Sequence, residues 1–519
     1  MPMIHNRWWV LVAMSLPVFM LTVDINGISV ALPDLGDDLD ASTSSLQWVM
    51  NAYMLALAAL LIPAGRIADI VGRRLVLLVG SVVFGGASLL CGLAATDEIL
   101  IFGRTLQGAG AALFFATSLS IVSNAFDRAE RGRAIGIWTA VGATGSAVGP
   151  LLGGALTQFL DWRWFFFINV PVSIITVVLV LLVVDEERDE TASRKLDVNG
   201  FLAVTIGMVA LIFGIQQSDT AGWGSPEVLG ALALGVATLA LFVWLEMRAR
   251  EPMMDLRLFQ QRGYMSAALV GGLQAASFLG IAFFATLYMQ NVLDLSAGAT
   301  GLMFLTLTVP FVWTSPFTGR IIKLVGERNG MVLGMLLQSI SILPMMLVGT
   351  SRTESLIALG VGFFIFGHGA SLAYNISVVA GMSAIPESKA GIASGILNAA
   401  RFAIGAAGIA LTGAVFKAVE SDRIASDLSS VTPTVRGDVD GLLSGSEAAR
   451  ETVAAQAPSI ADQVSGIVDD AFVLAFVAAL GFNLIVSAAG AAIGGIYPGR
   501  SAPQETGGED NADAARAVA

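Results

Sequence analysis

The chain has 519 residues, of which 55% are hydrophobic and only 13% charged, and its net charge is −12. Soluble globular domains carry about 25% charged residues, so this composition excludes an ordinary soluble protein and points to repeated apolar helices in a membrane. The acidic balance argues against a nucleic-acid partner, and the single cysteine, Cys91, excludes a disulfide framework or a Cys-based metal site within one chain.

In lipid, backbone polar groups must be satisfied within a helix or a closed barrel. The apolar runs do not alternate as barrel strands do, so helices are expected. Fourteen spans are predicted: 8–33, 46–65, 75–95, 98–124, 134–158, 164–184, 198–216, 226–247, 264–291, 297–318, 330–349, 354–382, 390–416 and 471–496. An even number places both termini on one side of the membrane. Of the 28 Lys and Arg, 20 fall on the termini and the loops on their side, 6 on the opposite loops, and Arg104 and Arg401 inside spans. Both termini are therefore expected in the cytoplasm, in a bacterial-type inner membrane. "MPMIHNRWWV" runs straight into span one without a small-residue cleavage site, so no cleaved signal peptide is expected.

Span one contains "LTVDINGISVALP". Asp24 lies about nine residues from the end of that run, roughly 13 Å deep at 1.5 Å per residue. A carboxylate there costs a few kcal/mol, which marks it as functional. Spans two and three are joined by "GRIADIVGRR" (65–74), where Gly65 and Gly72 allow tight turning and Asp69 can accept charge-assisted hydrogen bonds beside Arg73 and Arg74. Span four opens with "LIFGRTLQGAGAA", which puts Arg104 roughly 9 Å deep, a depth comparable to that of Asp24. A pair between them would let Arg104 hold Asp24 ionised, and protonation would release the arginine, a charge switch between two conformations. A static structural ion pair is the other reading.

Span five contains "GATGSAVGPLLGG", with Gly145, Gly149, Pro150, Gly153 and Gly154 forming a small-residue packing face bent at the proline. "DWRWFFFINVP" leads into span six, and its tryptophans suit an interfacial belt. The charged stretch "DEERDETASRKLD" (185–197) then marks the end of a first half. "GRIIKLVGER" (319–328) repeats the pattern of 65–74 at a distance of 254 residues. Two parallel halves, spans 1–6 and 9–14, with spans 7 and 8 inserted, follow from that repeat. The domain boundaries are 1–184, 185–262 for linker and inserted spans, 263–496, and a disordered tail over 497–519.

Span ten, "MFLTLTVPFVWTSPF", has no acid. Span thirteen, "GILNAARFAIGAAG", carries Arg401 near mid-membrane, with Asn398, Arg401 and Gly405 on one helix face. A central arginine disfavours a permanent dication and favours neutral, zwitterionic or anionic amphiphiles; pairing with Asp24 or with helix carbonyls is the alternative. Asn51, Trp138, Trp313, His368 and Asn375 complete the candidates for a cavity of aromatic and sparse polar groups, with packing or interface as the plainer role of each. The external loop 417–470 holds ten acidic and four basic residues and reads as a solvated hairpin, with a short helix possible in "SEAARETVAAQAP".

These ordered motifs resemble the fourteen-span drug/proton antiporters of the major facilitator superfamily, over nearly the whole chain. The resemblance implies an all-α polytopic fold of two six-helix bundles with two inserted central helices. It implies a cytoplasmic latch at 65–74, proton coupling through Arg104, and an antiporter motif at 145–154. Ile70 stands where that family often has a basic residue, and Asn26 and Ser29 replace its usual threonine and asparagine. Exporters of lipophilic cations in that family often carry a further acid in span ten, which is missing here.

The expectation is a monomeric, proton-coupled exporter of hydrophobic small molecules working by alternating access. An exporter of an endogenous lipid or anionic amphiphile, and a non-transporting membrane sensor, are the rivals. No G-x-x-x-x-G-K-[ST] site, cofactor motif, metal cluster or nucleophile–base pair is visible, so neither ATP coupling nor an enzyme is expected.

Overall fold

A computed structural model describes residues 7–185, 197–248, 257–349, 351–385, 390–427 and 461–498. Among these the secondary structure is helical throughout. The first group of helices is α1 (Arg7–Leu39), α2 (Thr43–Val71), α3 (Arg73–Gly92), α4 (Asp97–Ala125), α5 (Arg128–Phe159), the short α6 (Arg163–Phe167) and α7 (Asn169–Val183). A hairpin of α8 (Val198–Ala221) and α9 (Pro226–Arg248) follows. The second group is α10 (Arg257–Gln260), α11 (Arg262–Leu287), α12 (Ala297–Thr314), α13 (Thr318–Met345), α14 (Arg352–Ser383), α15 (Ala390–Asp427) and α16 (Ala461–Ile496).

Twelve helices among the described residues are long and apolar enough to cross a membrane, fewer than the fourteen spans expected. One of the twelve is Ala297–Met345, 49 residues long, in which the expected turn between spans ten and eleven stays helical. A straight helix of that length would run about 74 Å, more than twice the ~30 Å hydrocarbon core. Instead α12 and α13 meet at a 3-10 turn, Ser315–Phe317, and the backbone leaves helical geometry at Gly326, with φ 80° and ψ 166°. Gly72 does the same between α2 and α3, with φ 125°. The two glycines are 254 residues apart, the spacing of the sequence repeat. Positive φ is costly for any residue with a Cβ, and each repeat places glycine there. Gly65, by contrast, has open space around it, so the turn rests on Gly72 alone.

Packing sorts the helices into two bundles. In the first, α1 lies along α5 and α7, and α4 along α2 and α3; in the second, α13 lies along α14 and α16, and α11 along α15 and α16. The α8–α9 hairpin sits on the seam, where α8 touches both α2 and α15. Trp48 of α2 meets Phe213 of α8, with ring centroids 6.3 Å apart. Large apolar side chains such as Val82, Ile174, Leu302 and Ile485 are exposed on the outer faces. In water such a surface would be an aggregation liability; in lipid it is the required solvent face.

Two boundaries differ from expectation. α15 continues to Asp427 and α16 begins at Ala461, so both ends of the expected loop 417–470 are helical extensions. The segment "SEAARETVAAQAP" and the residues after 498 lie outside the described residues. Tyr497, expected at the start of a disordered tail, is buried, and its hydroxyl donates to Glu327 Oε2 at 2.6 Å. Ser383 Oγ also donates to Glu327, at 3.3 Å. The end of α16 is thereby tied to α13 at the second copy of the repeated turn.

Candidate functional site

Asp24 and Arg104 form an ion pair in the core of the first bundle, with 0% and 1% of their side chains exposed. Helix rotation decides this contact: Asp24 projects from the face of α1 that meets α4. Around it both charges find specific partners, while Asn169 Oδ1 and the Tyr53 hydroxyl have none among the described residues. Arg104 Nε donates to the carbonyl of Val49 at 3.0 Å, and Nη1 donates to Gln107 Oε1 at 2.8 Å as well as to the carboxylate. Gln107 Nε2 donates to Ser88 Oγ at 2.7 Å and to Asp24 Oδ1 at 3.3 Å. Asn169 Nδ2 donates to the same oxygen at 3.3 Å. The guanidinium also lies over the Tyr53 ring, 4.3 Å from its centroid.

Five helices thus converge on one charge pair. In low dielectric a charge left alone is far costlier than one compensated by a counter-ion and hydrogen bonds. The network compensates both charges while they remain paired, and ties the pair to the packing of five helices. Gln107, Ser88, Asn169 and Tyr53 were not among the expected site residues. Gln107 was legible as the residue one turn after Arg104, on its face. Asn169 stood in the quoted "DWRWFFFINVP", with nothing in the sequence to say that it reaches α1.

The glycines of α5 build the support. A methyl group at Gly145, Gly149 or Gly153 would run into Thr22, the carbonyl of Val23 or the carbonyl of Gly27 on α1. These residues recur every four positions, so one face of α5 presses directly on the turns of α1 that carry Asp24. The other face meets the second bundle: Gly154 abuts the Ala297 carbonyl, and Gly301 of α12 abuts the carbonyl of Pro150. The motif therefore packs Asp24's helix on one side and the opposite bundle on the other.

At the repeated turn, Gly72 N–H donates to Ala68 C=O at 3.0 Å, and Arg74 Nη2 donates to the Leu181 carbonyl on α7 at 2.9 Å. Arg73 opens α3. Asp69 belongs to α2, and its side chain lies outside the described residues.

The remaining candidates are dispersed. Arg401 projects from α15 into the second bundle, lying 3.6 Å from the centroid of the Tyr374 ring and donating from Nη2 to Gln274 Oε1 at 3.4 Å. It does not meet Asp24. Trp138 stacks near Phe115, with centroids 5.7 Å apart, and Phe115 reaches Phe402 of the other bundle at 6.3 Å. Asn398 is partly buried on α15, and Asn375 on α14 donates to the Ser371 carbonyl one turn back. Asn51 is fully buried, and neither of its side-chain polar atoms has a partner among the described residues. His368 Nδ1 contacts Thr314 Oγ1, with Phe364 edge-on to its ring. Trp313 is 68% exposed on the outer face of α12, away from Arg401. Its neighbour Phe311 points inward to Tyr374, as helical phase requires of residues two apart.

Residues 14–409 match the family described as Major Facilitator Superfamily. The chain is 34% identical over 424 residues to the multidrug resistance protein Stp of Mycobacterium tuberculosis, covering 82% of this chain and 78% of that protein. It is 33% identical over 449 residues to the puromycin resistance protein pur8 of Streptomyces alboniger, covering 84% and 87%. Among solved structures it resembles a bacterial homolog of the human lysosomal transporter Spinster, with TM-score 0.64, 17% identity, and coverage of 95% of this chain and 97% of that one. The helical membrane architecture, the extent of the family match and these relatives agree: the chain is a multi-pass membrane protein that belongs to the major facilitator superfamily, a family of transporters rather than enzymes.

Proposed function

We propose that this protein exports hydrophobic or amphiphilic small molecules across the plasma membrane in exchange for protons. The observation that carries the proposal is the buried Asp24–Arg104 pair. Protonating Asp24 would leave a cationic Arg104 with the Gln107 and Val49 oxygens and the Tyr53 and Phe166 rings, and no counter-ion. That cost favours a second packing of α1, α2 and α4, so a proton becomes a conformational signal. Relatives named for multidrug and puromycin resistance support an export role.

Fourteen spans follow if Ala297–Met345 counts as two and α5 is added to the twelve. Both termini are then cytoplasmic by the distribution of Lys and Arg. Contacts between the bundles gather at the opposite, external end. Gln290 Nε2 donates to the Val30 carbonyl at 2.9 Å, Ser296 Oγ lies 3.2 Å from Gln158 Oε1, and Gly413 packs on Gln47. These contacts support a reading in which the external side is closed and substrate enters from the cytoplasm or inner leaflet. Alternating access would open these contacts and close the turns at 65–74 and 319–328.

Proteoliposomes with an imposed pH gradient test this reading. Wild type should move a fluorescent lipophilic probe in proportion to the gradient, with proton counterflow. Asp24→Asn should bind the probe and lose gradient-driven transport. Full coupling in Asp24→Asn would remove Asp24 from the proton pathway.

A further inference from the structure

The membrane arginines of this protein are treated in opposite ways. Arg104 is 1% exposed and neutralised by Asp24. Arg401 is only partly buried, and among the described residues no carboxylate lies within ion-pair distance of it. Its partners are one amide oxygen, Gln274 Oε1 at 3.4 Å, and the face of Tyr374. A guanidinium has five N–H donors, so most of its capacity is unused. A cation at this depth without a counter-ion is expensive, and its persistence calls for a ligand that supplies the missing charge.

The surroundings describe the rest of that ligand. Phe311 stands 6.2 Å from Tyr374, and Phe278 lies 6.4 Å beyond it. On the other side Phe402, adjacent in sequence to Arg401, meets Phe115 of the first bundle. Trp138, packed on Phe115, has an indole N–H with no acceptor among the described residues. The region offers apolar rings and hydrogen-bond donors.

We propose that Arg401 is the binding site for an oxyanion, a carboxylate or phosphate, on an amphiphilic substrate whose apolar body lies against the neighbouring aromatic rings. The Tyr374 ring covers the guanidinium on one side, 3.6 Å from Cζ to its centroid, and the unused N–H donors face the ligand, so Arg401 and Tyr374 select anionic over cationic amphiphiles. This rests on the transport reading above and specifies its substrate class. Planar bidentate donation to an oxyanion is the interaction for which arginine is better suited than lysine.

The test uses the full-length protein in proteoliposomes under a pH gradient, with a fluorescent long-chain carboxylate, its neutral amide and an ammonium of equal size. Wild type should transport the carboxylate with the highest kcat/KM. Arg401→Gln should lower that value at least tenfold, chiefly through KM, and leave the amide within twofold. Arg401→Lys should recover part of the loss. Equal transport of the carboxylate by Arg401→Gln, or an equal loss of all three probes, would overturn the assignment. If wild type moves none of them, the transport reading fails by itself. Binding of the carboxylate in detergent, read by tryptophan quenching, then decides the site: Arg401-dependent binding upholds it, and no binding or Arg401-independent binding overturns it. A parallel arm with fluorescent phosphatidylglycerol separates the sources of the oxyanion. Arg401-dependent flipping identifies a lipid headgroup, and its absence beside Arg401-dependent carboxylate transport identifies a free amphiphile.

Discussion

At Asp24 the carboxylate accepts from Arg104, Gln107 and Asn169 and is fully buried. Removing one member of a buried ion pair strands the other, at a cost of about 3–5 kcal/mol. Arg104→Ala should therefore lower the unfolding midpoint in detergent more than the double variant Asp24→Asn/Arg104→Gln, in which no charge is stranded. Gln107→Leu leaves the ion pair but removes donors to Asp24 and Ser88, and should cost about 1–3 kcal/mol. Thermal melts of the four proteins check the ranking. A double variant no more stable than Arg104→Ala would show that the network's shape matters more than its charge.

Among the helices, α5 is the element whose sequence most directly sets its packing. Gly149 and Gly153 face α1 at backbone contact, so Gly149→Val or Gly153→Val must push α1 away or tilt α5. Overpacking of this kind costs about 1–3 kcal/mol and shifts the turns that hold Asp24; gradient-driven transport should fall while expression persists. Gly65→Ala, in open space within α2, should not destabilise the protein and should raise its stability by up to about 1 kcal/mol, read by thermal melts. Gly72→Ala and Gly326→Ala should each cost about 1–2 kcal/mol, because alanine resists positive φ. Parallel losses at the two glycines would reflect their equivalent places in the repeat. At its ends α1 is also clamped by ion pairs, Arg7 with Asp127 and Glu130, and Asp38 with Arg163. These pairs are partly exposed, and each contributes little alone.

For the whole molecule, the contacts between bundles at the ends of α5 and α12 must break for the protein to open outward. Gln158 and Ser296 touch across this seam at 3.2 Å. In a Cys91→Ser background, Gln158→Cys with Ser296→Cys should link through a short thiol cross-linker, since Cys91 is the only native cysteine. Cross-linked protein should lose transport, and a reducible linker should restore it on reduction. Transport that continues at the wild-type rate with the linker in place would show that this seam does not open in the cycle.

The apolar helical character of the chain, the 254-residue repeat, the two membrane arginines and the glycines of span five were legible in the sequence, because hydropathy and residue type do not depend on how a helix is turned; the count of fourteen was not matched by the twelve long apolar helices described. Comparable depth made Asp24 and Arg104 candidate partners; the packing of α1 on α4 and the rotation of both brought them together, while Arg401 on α15 of the second bundle lies against Tyr374. Rotation likewise set Phe311 inward and left Trp313 facing out. The reach of Asn169 to Asp24 and of Tyr497 to Glu327 spans 145 and 170 residues, and no local pattern encodes such distances. What each helix is made of follows from the chain. Which face it turns to its neighbours is decided by the packing of all of them at once, since lipid is as apolar as most of their side chains and exerts little preference of its own.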